Sequence, residues 1–237
     1  MLQMTTEQIV AADGEVFAGY MALPEQLPAP GILLLQEIFG VGEYLRAVGD
    51  RLAALGYVVM MPDVFWRQEP GLNLGHDEAG LQAAPGYAAR YFQQISTGLD
   101  DLDAAYRHLE GMEATTGPTG LMGFCFGGRL AWHLAARQRP AATVAYYPTK
   151  IAEALQEAPR ISEPMLIHVG SEDPHVPAEA VEALGGAIAS KANIELQVYQ
   201  GAGHAFDNHT VPMFSNPTAA AAAWAQTVDF LGRHLPI

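Results

Sequence analysis

Short apolar runs alternate with longer amphipathic ones along this chain. Val16, Ala18 and Tyr20 recur with period two, and Gly31-Ile32-Leu33-Leu34-Leu35-Gln36 is a continuous run of the kind that suits a strand buried on both faces. Leu45, Val48, Leu52 and Leu55 then recur at helical spacing and stop at Gly56, before the strand-like Tyr57-Val58-Val59-Met60-Met61. Together these predict one βαβ unit. A long stretch rich in Gly, Pro and polar residues follows, from Pro62-Asp63-Val64-Phe65-Trp66-Arg67 to about Pro85-Gly86. It reads as a functional loop or cap, with flexible filler as the competing reading, and Gln68 to Gly86 is a candidate lid. Leu99, Leu102, Tyr106 and Leu109 predict the next helix, Gly120-Leu121-Met122 a short strand, and Leu130 and Leu134 a helix after it.

The same alternation continues to the end of the chain. Ala142-Thr143-Val144-Ala145-Tyr146, Met165-Leu166-Ile167-His168-Val169 and Ile194-Glu195-Leu196-Gln197-Val198-Tyr199 read as strands. Pro177 opens a helix running to about Ser190, and Asn216-Pro217 caps a last, alanine-rich helix ending near His234. Repeated strand-helix alternation predicts an α/β fold: a mostly parallel central sheet with helices on both faces. With 237 residues and 50% hydrophobic content, one domain over 1–237 is the default.

Charge narrows the partners. Twelve Lys and Arg against 26 Asp and Glu leave a formal net charge of -14, a surface that repels polyanions, so nucleic acid is not expected. Met1-Leu2-Gln3-Met4-Thr5-Thr6-Glu7 shows no basic and apolar leader pattern, and no run is apolar for long enough to span a bilayer. The single cysteine, Cys125, cannot form an internal disulfide, which suits a reducing cytoplasm. Nothing in the pattern bears on oligomeric state.

That cysteine lies in Gly123-Phe124-Cys125-Phe126-Gly127, a G-x-C-x-G pentapeptide between a short strand and a helix. Flanking glycines let the backbone bend sharply enough to expose a nucleophile, and the following helix N-terminus favours negative charge. The competing reading is an ordinary Gly-rich turn with a small buried thiol. Open α/β sheets carry reactive groups beyond the carboxyl ends of their strands. Two further strand ends hold suitable residues: Asp173 in Gly170-Ser171-Glu172-Asp173-Pro174, and His204 in Gly201-Ala202-Gly203-His204. Asp173 could fix the tautomer of His204, and His204 could act as base and then acid. Their order along the chain is nucleophile, acid, histidine, which an α/β-hydrolase requires. Alternatives stay open at each position: Asp173 could merely make an Asx-turn, and Glu172 could take its place. His76, His108, His133, His209 and His234 read as histidines without a role, and His168 and His175 are not assigned to the site. No histidine pair has the short helical spacing of a zinc site, so no metal is expected, and no cofactor is implied because such chemistry needs only water and these side chains.

These residues, with Gln36-Glu37-Ile38-Phe39-Gly40, Pro62-Asp63-Val64-Phe65, Tyr146-Tyr147 and Gly203-His204-Ala205-Phe206, make the chain resemble the dienelactone hydrolase family of α/β-hydrolases over nearly its whole length. The resemblance implies carboxymethylenebutenolidase-type cleavage of a small-molecule ester or lactone by a Cys125-His204-Asp173 triad, with Glu37 beside a thiol kept protonated until substrate rearranges the site. A carboxylate at that strand end could itself accept the thiol proton; facing solvent or pairing with Arg46 is the alternative. The backbone N–H groups of Phe126 and Ile38 are the candidate oxyanion donors. Phe39, Trp66, Arg67, Phe92, Tyr146, Tyr147 and Phe206 are candidate pocket walls, and for the aromatics ordinary core is the competing reading. Relatives that cleave dienelactone hold the substrate carboxylate with arginines, one just after the histidine. Here that segment reads Ala205-Phe206-Asp207-Asn208; Ala79-Gly80-Leu81-Gln82-Ala83-Ala84 holds no arginine for the other, and Arg67 and Arg90 are merely nearby candidates. Readings from other classes are a non-catalytic small-molecule binder and a thiol redox protein, the latter needing an external thiol to complete its cycle.

Overall fold

A computed structural model describes residues 5–237, so the Met1 to Met4 part of the N-terminal reading lies outside the described residues. The chain divides into two compact units: the first ends at Gly120 and includes Ile237, and the second is Leu121–Pro236.

The first unit carries β1 (Thr5–Val10), β2 (Val16–Ala22), β3 (Gly31–Leu35), α1 (Glu43–Leu55), β4 (Val58–Pro62), α2 (Glu78–Gln93) and α3 (Ile95–Glu110). Its strand order is β1-β2-β4-β3. β1 and β2 form an antiparallel hairpin from Thr5↔Met21 to Val10↔Val16, β2 runs antiparallel to β4, and β3 runs parallel to β4. β3 and β4 are buried at every position, as the continuous apolar runs predict. α1 packs on β2 and β4, and α3 on β1, β3 and β4.

Pattern and structure differ at three places in this unit. β1 escaped the reading because only Ile9 of its six residues is buried, so it has almost no apolar side to detect. In β2 the strand is where alternation puts it, but the buried positions are Phe17, Gly19, Met21 and Ala22, while Val16 is exposed and Ala18 and Tyr20 are half-buried. The predicted loop to Gly86 is shorter than read, because α2 begins at Glu78. Asp77 caps α2 by accepting from the Gly80 N–H at 2.9 Å, and the helix carries Pro85 inside it. Pro85 and the few buried positions of α2 (Gly80, Ala84, Tyr91) removed the helical signal.

The second unit takes all but the first residue of β5 (Gly120–Phe124), followed by α4 (Phe126–Arg137), β6 (Thr143–Tyr146), a 3-10 segment (Ile151–Arg160), β7 (Met165–Gly170), α5 (Ala178–Ile188), β8 (Ile194–Tyr199) and α6 (Pro217–His234). Its order is β5-β6-β7-β8, parallel throughout. α4 packs on β6 and on the 3-10 segment, which also meets α5, while α6 lies on β7. Asn216 caps α6 as predicted, its side chain accepting from the Ala219 N–H at 3.1 Å. Parallel in-register strands bring the carboxyl ends of β5, β7 and β8 to one edge of this unit, where the loops with Cys125, Asp173 and His204 begin. Among the described residues no helix is long and apolar enough to cross a membrane.

Candidate active site

Cys125 sits between β5 and α4 with φ 56° and ψ -116°, a conformation that L-residues rarely adopt and that marks a sharp strand-to-helix elbow. The bend demands glycine beside it: a Cβ on Gly123 would lie 2.1 Å from the Gly127 carbonyl oxygen. Three backbone bonds hold the elbow. The Cys125 N–H donates to the Tyr146 carbonyl at 3.0 Å, and the Cys125 carbonyl accepts from the Arg129 and Thr149 N–H groups, both at 3.3 Å. The residue is 7% exposed, so its surroundings are largely desolvated without sealing it off. Phe126, the candidate oxyanion donor, is the first residue of α4.

The loops after β7 and β8 meet at the backbone. The Glu172 N–H donates to the Ala202 carbonyl at 2.9 Å, and a Cβ on Gly170 would lie 2.2 Å from that same oxygen. This close approach brings Asp173 and His204 together. Asp173 Oδ2 accepts from His204 Nδ1 at 2.7 Å, while Oδ1 accepts from the N–H groups of His175 (2.7 Å) and Val176 (3.2 Å). Both readings of Asp173 are therefore realised at once, since one oxygen makes the Asx-turn and the other orients the imidazole. Glu172, the alternative carboxylate, is exposed.

Burial pulls the His204 pKa down, but the negative charge of Cys125, the hydrogen bond to Asp173 and the remaining contacts with both groups outweigh it and lift the pKa to about 10. His204 Nε2 is buried with no complete hydrogen bond of its own. Cys125 thus neighbours the ring without full hydrogen-bond alignment, as resting sites often do. Because the folded pKa lies above the unfolded value of 6.5, the stability linked to this proton is fully present below 6.5 and is lost as the pH rises through about 10.

Aromatic rings flank His204 on two sides. Tyr147 packs edge-on at 5.0 Å between centroids, from a backbone with φ 36°, and the exposed His175 packs edge-on at 4.7 Å. Burial lowers the His175 pKa, the His204 charge lowers it further, and Asp173 opposes both. Periodicity does not assign His175 to the site; the available signal is its position two residues after an Asp that makes an Asx-turn. Tyr146, Tyr147 and Phe206 are fully buried.

His168 is also fully buried, bonded through Nδ1 to the Tyr199 hydroxyl (2.9 Å) and through Nε2 to the Thr227 hydroxyl (3.0 Å). Burial depresses its pKa to about 3. A depressed pKa costs stability as pH falls, because the unfolded chain takes up a proton near pH 6.5 that the folded chain refuses. Between pH 7 and pH 4.5 this group is expected to remove about 3 kcal/mol of unfolding free energy. Urea unfolding at the two pH values should give a smaller difference for His168→Gln than for the wild type; an equal difference would contradict the assignment.

The first unit holds the other candidates. Glu37 is 5% exposed, with His76 Nε2 at 3.6 Å from its Oε2, and the His76 ring lies 4.1 Å from that of Phe39. His76, read as a histidine without a role, thus stands beside the carboxylate. Ile38 is half-buried. Arg46 donates through Nε to the Val41 carbonyl at 3.0 Å and lies over the Tyr20 ring. Trp66 stacks on Phe17 and donates to Asp101 at 3.1 Å. Arg67 forks onto Asp101 at 2.7 and 2.8 Å and pairs with Asp13 at 2.7 Å. Phe92 packs edge-on against Tyr91. Elsewhere in the second unit His133 bonds Glu157 at 2.8 Å.

Comparison with known proteins agrees with the fold. The model of the dienelactone hydrolase family matches residues 17–235, and the chain belongs to that family. A carboxymethylenebutenolidase of Pseudomonas putida is 32% identical over 230 residues, covering 96% of this chain and 97% of the relative. Another, from Pseudomonas sp. strain P51, is 33% identical over 237 residues, covering 99% and 98%. The crystal structure of a putative dienelactone hydrolase from Klebsiella pneumoniae superposes with a TM-score of 0.83 at 26% identity, covering 98% of this chain and 99% of the other. The fold is that of an α/β-hydrolase.

Proposed function

We propose that this chain hydrolyses small carboxylic esters or lactones through a covalent acyl intermediate on Cys125, working as one domain that spans both units. The family makes the reaction class ester or lactone hydrolysis. The finer reading rests on one observation: a buried Asp173 holds His204 by Nδ1 at 2.7 Å beside the elbow thiol. The thiolate attacks the substrate carbonyl carbon while His204 carries the proton. Charge on the resulting oxyanion is taken by the N–H groups of Phe126 and Ile38. Collapse expels the alcohol oxygen, which takes the proton from His204. Acylation removes the charge on sulfur, and that charge is the strongest influence holding a proton on the ring. The neutral imidazole can then deprotonate water, which attacks the thioester and releases the acid. Glu37 is assigned as a second group able to accept the thiol proton once substrate rearranges the site; until then its own charge disfavours a thiolate.

Substrate charge is the next question. Arg67 is committed to Asp101 and Asp13, and Arg90 donates through Nε to Gln68 and lies over Tyr87. Asp207 and Asn208, in the segment after His204, are buried and bring no cation. Neutral aryl esters are therefore expected to exceed dienelactone in kcat/KM by about 10- to 100-fold, the value of one missing charge-assisted pair. Parallel steady-state assays check this, and a clear preference for dienelactone would overturn the substrate assignment.

A further inference from the structure

The buried His168 is the centre of a hydrogen-bonded chain whose direction can be read from its end. The Tyr199 hydroxyl donates to Gln226 Oε1 at 3.3 Å, so it accepts from His168 Nδ1–H. Nε2 is then an acceptor and takes the Thr227 hydroxyl proton, which leaves the Thr227 oxygen to accept from the Tyr146 hydroxyl at 2.8 Å. The order is Tyr146, Thr227, His168, Tyr199, Gln226, every donor satisfied by the next acceptor. Only a neutral ring fits this order, in agreement with the depressed pKa.

The two arms end under different parts of the site. Tyr146 supplies the carbonyl that holds the Cys125 N–H, and its ring lies 4.7 Å from that of Phe124, the residue before the nucleophile. Tyr199 ends β8, and its ring packs at 5.2 Å on Phe206, two residues past His204; Phe206 in turn packs on Tyr147, the ring against His204. The His168 carbonyl also accepts the Tyr147 N–H at 2.7 Å. One side chain therefore ties the support of the elbow to the support of the histidine loop.

We propose that His168 is a positioning residue that sets the Cys125 elbow against the His204 loop, acting through Thr227 and Tyr146 on one side and through Tyr199 on the other. It touches neither substrate nor the reacting atoms. The inference rests on the Cys125-His204 reading above.

Thr227→Val keeps the shape of the side chain and cuts the first arm, Tyr199→Phe cuts the second, and Thr227→Ser keeps the hydroxyl. With p-nitrophenyl acetate, Thr227→Val is expected to lower kcat about 10- to 100-fold with KM changed by less than about twofold, the mark of misplaced reacting groups. Thr227→Ser is expected within about threefold of wild type by the same logic. A second readout separates positioning from mere loss of packing: in Thr227→Val the His204 titration followed by NMR should move from near 10 toward 6.5 as its contact with Cys125 loosens. Folded Thr227→Val with unchanged kcat and unchanged His204 titration overturns the proposal. If Thr227→Val does not fold, Tyr199→Phe decides on the same two readouts. Cys125→Ala is assayed alongside. Full activity there would reject the catalytic reading, while the NMR shift would still report whether His168 couples to His204.

Discussion

Exchange of Asp173 for Asn is expected to lower kcat about 10³- to 10⁴-fold while the protein stays folded, the scale that loss of tautomer control costs in a nucleophile-histidine-carboxylate site. The two halves of the residue's job can be separated. Asn keeps one oxygen, which can continue to accept from the His175 and Val176 N–H groups and preserve the turn. Its amide nitrogen then faces His204 Nδ1, where Oδ2 now accepts at 2.7 Å. A donor facing a donor forces Nδ1 to give up its hydrogen, and the proton moves to Nε2 on a neutral ring, the wrong tautomer for taking a proton there. The carboxylate's share in lifting the His204 pKa disappears as well. Steady-state kinetics with circular dichroism checks this; a folded Asn variant with near wild-type kcat would show that Asp173 only shapes the turn.

Gly123→Ala is the second large effect. The added methyl would stand 2.1 Å from the Gly127 carbonyl oxygen and 2.5 Å from its carbon, both backbone atoms of the first turn of α4. No rotamer relieves such an overlap, so the strand and the helix must part. The cost is about 3 kcal/mol, the upper range for overpacking of a dense interior. Because the displaced segment carries Cys125, a fall in kcat of at least about 10²-fold should accompany the loss of stability. Urea unfolding and kinetics on the same preparation test both halves. A stable, active variant would mean that the elbow is looser than the geometry here.

How much of this was legible in advance depended on whether a segment carried its own apolar signature. β3, β4 and β7 are buried at every position, and α6 has both a cap and a long run of helix formers, so each stands where the pattern put it. α2 is held by Asp77 and by packing around Tyr91, and Pro85 masked it. The 3-10 segment Ile151–Arg160 buries only Ile151, Ala154 and Ala158, too few for a helical stripe to show. At the site, residues with a chemical reason to stand at strand ends were readable: Asp173 and His204 do meet. His175 and Tyr147 were not readable as partners of His204, because their approach depends on a turn and on a positive φ that no periodicity encodes. The covered face of β2 was not readable for a related reason: in a strand with apolar residues on both sides, period two alone does not say which side is covered.

The most direct test is to catch the intermediate. Brief incubation with an activated neutral ester, acid quench and peptide mass spectrometry should locate one acyl group on Cys125, and none there in His204→Ala at the same time point. An acyl group on any other side chain, or turnover that persists in Cys125→Ala, would contradict the account.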